Sequence, residues 1–182
     1  MKTGNSYILC TLAVSALLAS PAAFSASKSQ IDTRVAKALE HFDRINSAHE
    51  GLEKKAVGEL VFPKITKAGV GVGGEYGEGA LLVGGQTVAY YSVSSASVGL
   101  TLGVAKHSEV ILFNTQAALD QFRNSHGWSV GADVGVAVPS KGAGKDYDTQ
   151  TIDKPDVAFV FGERGLIADA SIEGSKINKL ER

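Results

Sequence analysis

The chain has 182 residues, with 18 Lys and Arg against 19 Asp and Glu for a formal net charge of -1, and 44% of it is hydrophobic. That length suits one ordinary domain and leaves little room for a second, and the near-zero charge argues against holding nucleic acid by bulk charge. A single Cys excludes a disulfide framework and a Cys-rich zinc site.

Lys2 followed by the apolar stretch Tyr7 to Ala19, then Ser20, Pro21 and small residues, predicts a secretory signal peptide over about residues 1–25. The apolar core is too short for a membrane-spanning helix. Ala23-Phe24-Ser25 gives the best cleavage pattern, so the mature chain is expected to begin near Ala26 and to form a single domain, 26–182. Cys10 lacks the small residue that lipoprotein processing needs directly before it, so it reads as part of the signal core. The expected localisation is exported, periplasmic or peripheral to the envelope. Removing the leader deletes one Lys and takes the net charge from -1 to -2.

Ser29 to about Ala48 reads as an amphipathic helix with Ile31, Val35, Leu39, Phe42 and Ile45 on one stripe, and Ser29 with Asp32 resembles a capping box. Gly51 interrupts, and Leu52 to Ala56 predicts a second short helix. Leu60-Val61-Phe62 reads as a strand stopped by Pro63, and Ala68 to Tyr76 as an extended Gly-rich segment. Ala80 to Val83 and Thr87 to Ser92 flank Gly84-Gly85, a hairpin signal.

Val98, Leu100, Leu102 and Val104 alternate with Gly99, Thr101, Gly103 and Ala105; Val130 to Val138 repeats the scheme. Strands bare on one face lie close to another backbone or curve tightly. Val110 to Phe113 reads as a buried central strand. Thr115 to Ser125 reads as a helix capped by Asn114 or Thr115, with Leu119 and Phe122 inward. Lys141 to Pro155 is a long polar loop, and Val157 to Phe161 and Leu166 to Ile172 are closing strands joined by a turn at Gly162 to Gly165. The expected class is α+β: a strongly curved antiparallel, barrel-like sheet with an N-terminal amphipathic helix and one inserted helix.

Gly69 to Gly74 spells a G-x-G-x-x-G, but Glu75 and Glu78 follow where phosphate would sit, and no helix-forming run opens there. These glycines read as backbone-packing positions in a bent strand. His107-Ser108-Glu109 alternates faces along a strand and has no nucleophile elbow, so no catalytic residue is assigned. His41 and His49 lack a third ligand at a recognisable spacing, so no metal or other cofactor is assigned. Lys54, Lys55, Lys64 and Lys67 fall within 14 positions. Such a set suits an anionic lipid head group, although solvated lysines at loop edges are the commoner reading and Glu53, Glu59 and Glu75 dilute the field.

The run Val61 to Gly69, with its Phe-Pro-x-x-x-Lys-Ala-Gly signature, continues through Gly71, Gly73-Gly74, Gly77 and Gly79 to Leu82. With Tyr90-Tyr91, Ser95 to Gly103, Gly131-Ala132-Asp133 and Ser171 to Gly174, it resembles the SYLF domain over roughly residues 31–175. The resemblance implies a non-enzymatic lipid-binding module. Eukaryotic members bind phosphoinositides and, in some cases, actin, beside a separate SH3 or FYVE module; actin is disfavoured for an exported bacterial member. The expected partner is anionic phospholipid or a membrane surface of the envelope, with no nucleic acid partner. Lys64 and Lys67 match the motif's basic positions, and Lys54 and Lys55 join them by proximity. The alternative expectation is an envelope protein-interaction module with no lipid specificity.

Overall fold

The computed structural model describes residues 26–45, 48–125, 127–129, 137–139, 154–165 and 175–182. In chain order these give α1 (Lys28–Ile45), α2 (Ala48–Glu53), β1 (Gly58–Val83), β2 (Gln86–Phe113), α3 (Gln116–Asn124), β3 (Trp128–Ser129), β4 (Ala137–Pro139), β5 (Asp156–Gly165) and β6 (Lys176–Leu180). The signal segment, most of the Val130 to Val138 strand, the Lys141 to Pro155 loop up to residue 153, and Leu166 to Ile172 lie outside the described residues.

β1 and β2 are one long antiparallel hairpin of 26 and 28 residues, paired from Gly58 opposite Phe113 to Val83 opposite Gln86. Gly84 and Gly85 both take positive φ, 58° and 73°, which a two-residue type I′ turn requires. A straight strand of that length would run about 85 Å, far longer than a domain of this size. The strand therefore bends back on itself. A Cβ on Gly69 would sit 2.5 Å from the Gly73 Cα, and one on Gly77 would sit 2.9 Å from the Lys64 carbonyl oxygen. A Cβ on Gly79 would overlap the carbonyl of Val61, eighteen positions earlier in the same strand. The expected close backbone approach is real, and the glycines of β1 allow it.

Pro63 does not stop the strand. Phe62 pairs with Glu109 and Ile65 with His107, so Pro63 and Lys64 together oppose Ser108 in a β-bulge, where a residue without an N–H removes no ladder hydrogen bond. The Ser108 hydroxyl donates to the Pro63 carbonyl at 3.0 Å and secures the bulge. The turn expected at Gly162 to Gly165 is likewise a bulge inside β5. Gly162 at φ 67° and Glu163 oppose His107, and pairing resumes at Arg164 opposite Lys106. β6 was not anticipated; it pairs with β2 from Tyr90 to Ser94 and with β3. The described sheet runs β3-β6-β2-β5-β4, with β1 on β2, and is antiparallel except for β4 against β5.

Alternation divides the core into two layers. Leu60, Phe62, Ile111, Phe113, Ala158 and Val160 face the inside of the curl with Leu119 and Phe122 of α3 and with Trp128. Phe122 meets Tyr91, Phe113 and Trp128 at ring separations of 4.9, 5.0 and 4.9 Å. Their neighbours Val61, Val110, Leu112, Val157, Phe159 and Phe161 face outward against Ile31, Val35, Ala38 and Phe42 of α1. Val110 to Phe113 is thus buried on both faces, as its unbroken apolar run predicts. Each fully buried Phe, Ile, Leu or Val contributes about 1.5–3 kcal/mol.

The cap of α1 lies at Ser27, two residues before the expected Ser29. Ser27 Oγ accepts from the Gln30 N–H at 3.3 Å and Gln30 Oε1 accepts from the Ser27 N–H at 3.0 Å, a reciprocal capping box. Asp32 instead accepts hydrogen bonds from Thr87 and Tyr90, pinning α1 to β2. The second helix begins at Ala48 and contains Gly51. Thr115 caps α3, its hydroxyl accepting from the Ala118 N–H at 3.2 Å.

Candidate functional site

The four lysines take three different settings. Lys54 and Lys55 lie in the turn that ends α2. Lys54 pairs with Glu50 at 2.6 Å on the open surface. The neighbourhood is acidic: burial, then Glu59, Asp43 and Glu50, push the Glu53 carboxyl up to about 8, and burial with Asp43 pushes Glu59 up to about 7. The negative charge that raises them, on Asp43 and on the Lys54 partner Glu50, sits beside these two lysines and offsets their field. Lys64 and Lys67 stand beyond the bulge, on opposite faces of β1. Lys64 is exposed on the outer face, whereas Lys67 follows Ile65 on the inner face and is half-buried opposite Ala105.

Lys64 lines a cavity. A recess of about 190 Å³ between α1 and the outer face of β1 is lined by Ala26, Ile31, Arg34, Pro63, Lys64, Thr66, Tyr76, Gly77 and Glu78. The bend in β1 builds it, because it stacks residues 76–78 beside 63–66. Arg34 comes from α1, about two turns of helix past the cap. Burial and the adjacent Glu78 carboxylate hold the Tyr76 phenol protonated, and its hydroxyl donates to Glu78 at 3.0 Å. Glu78 is itself neutralised by Arg182 Nη2 at 2.6 Å. The cations left facing the recess are Arg34 and Lys64, with the Thr66 hydroxyl beside them. The volume suits a phosphate or a small head group and is too small for an acyl chain.

The same strand face continues from this recess into apolar surface. Ala68 and Val70 follow Thr66 at alternate positions, and Val72 lies just past the register shift at the bend; Val70 and Val72 are 79% and 67% exposed. Across the ladder, Lys106 opposes Thr66 and Val104 opposes Ala68; Lys106 is exposed, and Val104 is 53% exposed. Exposed β-branched residues on a bent sheet edge, flanked by cations, form an amphipathic knuckle. Arg34, Thr66 and Lys106 were missed in the sequence because helix α1, the β1 bend and the β1–β2 register bring them together. By contrast, the helix stripe is not open: Ile31, Val35 and Phe42 are almost fully covered by the sheet.

A second polar group lies inside the curl. Glu109 is fully buried and neither carboxyl oxygen has a hydrogen-bond partner; burial, then Glu75, raises it to about 8, so it is held protonated at neutral pH. Glu75 accepts from Ser175 Oγ at 2.5 Å. His107 shares this face, while the Ser108 hydroxyl points to Pro63 on the other, so the three adjacent residues do not converge. His49 is a core residue: its ring stacks on Phe42 at 3.7 Å, its Nδ1 lies 2.6 Å from the Phe42 carbonyl, and burial lowers its pKa. Among the described residues no group of three His, Cys, Asp or Glu side chains is placed to hold a metal ion. No described helix is long and apolar enough to cross a membrane.

Fold and face together define a small α+β domain whose long bent hairpin carries both core and candidate site. Residues 94–181 match the model of the family described as Ysc84, Las17-binding protein actin regulator, the SYLF family that the sequence resembles. That is a family of lipid- or actin-binding domains. The match runs from the middle of β2 through β6, and the Phe62 to Gly69 signature lies upstream of it. No curated protein matches the chain.

Proposed function

We propose that this protein is a non-enzymatic binder of anionic phospholipid at a membrane surface of the cell envelope, and that it docks through the outer face of the β1–β2 bend. The observation that carries the reading is the Arg34–Lys64 recess with exposed Val70, Val72 and Val104 further along the same hairpin, at and beside its bend. A head-group phosphate in the recess accepts hydrogen bonds from the Arg34 guanidinium, the Lys64 ammonium and the Thr66 hydroxyl. Lys106 adds to the field, each basic residue near an anionic surface contributing about 1 kcal/mol. The valines enter the interfacial layer, where each buried CH2-sized increment contributes about 0.8 kcal/mol. Export through the leader at residues 1–25 would deliver the domain to such a surface, and the SYLF family's lipid-binding members support the ligand class.

Vesicle flotation tests the reading. The chain beginning at Ala26 floats with vesicles rich in phosphatidylglycerol and less with pure phosphatidylcholine, and the bound fraction falls as salt rises from 50 to about 300 mM. Arg34→Glu with Lys64→Glu removes most of the binding, whereas Lys54→Glu with Lys55→Glu leaves it nearly unchanged. Equal binding by both double variants, or no binding to anionic vesicles at low salt, contradicts the proposal.

A further inference from the structure

We propose that Glu78 and Arg182 form a receiving site for a free α-ammonium group on Ala26, created by hydrolysis of the peptide bond that precedes it. The clamp borders the recess of the lipid-binding reading, but its geometry and its test do not require a lipid. Ala26 is held from three directions. Its nitrogen donates to Glu78 Oε2 at 3.0 Å, its carbonyl accepts from Arg182 Nη1, and its side chain packs on the outer core layer. Arg182 Nη2 closes the ring by donating to Glu78 Oε1 at 2.6 Å. The Glu78 and Arg182 side chains are only 11% and 13% exposed, so this is a built, largely desolvated clamp.

Ala26 is also the residue at which the leader sequence is expected to be cut, after Ala23-Phe24-Ser25 with small residues at the last and third-last positions. A signal-type peptidase adds the hydroxyl of water to the Ser25 carbonyl carbon, and the released amine takes a proton. The nitrogen then changes from a neutral amide donor to a cation facing a carboxylate. Glu78 is left bridging two cations. The charged and titratable groups around the new terminus are Glu78, Tyr76 and Lys64 of β1, Arg34 of α1, and Arg182. An ammonium one residue ahead of the Ser27 cap opposes the α1 dipole, and Glu78 offsets that repulsion. Processing therefore strengthens the tie of the start of α1 to β1 and to Arg182, just beyond β6.

The test has two readouts. In an exporting bacterial host, intact mass of the secreted full-length product gives a chain that starts at Ala26. The purified protein is then compared with a form carrying Gly-Ser ahead of Ala26. Ion pairing raises the folded-state pKa of the α-amine above its ordinary value near 8. The extra stability is fully present below that value and is lost as pH rises through the folded pKa. The free form therefore melts about 2–4 °C above the extended form at pH 6.5. The gap closes by pH 10.5 and is absent in Glu78→Gln at every pH. A secreted chain starting elsewhere, or equal melting of the free and extended forms across this range, overturns the proposal.

Discussion

Gly79 lies where β1 passes over its own beginning, and a methyl group there would run into the Val61 carbonyl and the Phe62 ring. Because one contact is backbone, the site cannot relax by rotating a side chain. Gly79→Ala is expected to cost about 1–3 kcal/mol, toward the upper end. Gly51, inside α2 with open space around it, gives the opposite result: Gly51→Ala stabilises by about 0.5–1 kcal/mol. Urea denaturation of the two variants checks both signs. Glu109 sets a pH dependence. Its folded pKa of about 8 lies above the ordinary value of 4.5, so the native state binds the proton more tightly. Stability is greatest below pH 4.5 as far as this group is concerned and declines as pH rises toward 8. Glu53 and Glu59 act in the same direction. In thermal melts between pH 5 and 8.5, Glu109→Gln should show a distinctly smaller fall in Tm than the parent; an equal fall would show that Glu109 ionises freely in the native state.

At the level of elements, the capping box at Ser27 fixes where α1 begins and so where Arg34 meets Lys64. Ser27→Ala removes the acceptor for the Gln30 N–H and costs about 1 kcal/mol, a Tm decrease of about 2–4 °C. Thr115→Ala does the same for α3. Much of this level was legible in the chain. Val110 to Phe113 announced a strand buried on both faces, Gly84-Gly85 announced the hairpin, and Leu119 with Phe122 announced the inward side of α3. The errors share a cause. Pro63 and Gly162 were read by their local tendency to end strands, but each sits in a bulge, where the ladder tolerates a missing donor or a positive φ. The Ser29–Asp32 pair fits a cap pattern, yet Asp32 is drawn away by Thr87 and Tyr90, more than fifty residues distant. The short, largely polar KINKL segment carries no strand signature, and β6 forms because β2 offers it a partner.

For the molecule as a whole, the high glycine content, 21 of 182 residues, and the near-zero charge describe one arrangement. Glycines let a hairpin far too long for the domain fold over itself, and that fold places cations by strand face rather than by sequence proximity. The four-lysine cluster was legible as composition but not as geometry: Lys54 and Lys55 sit among carboxylates, Lys67 turns inward, and Lys64 finds Arg34 across the recess. The central claim is that the outer face of the bend meets the membrane. The most direct measurement uses an environment-sensitive fluorophore on Val72→Cys in the chain starting at Ala26, which has no other cysteine. On mixing with phosphatidylglycerol vesicles the emission should shift to the blue and become accessible to a lipid-borne quencher, and both effects should vanish with Arg34→Glu and Lys64→Glu. Binding of the labelled chain to those vesicles with no shift and no quenching at position 72 would contradict the account.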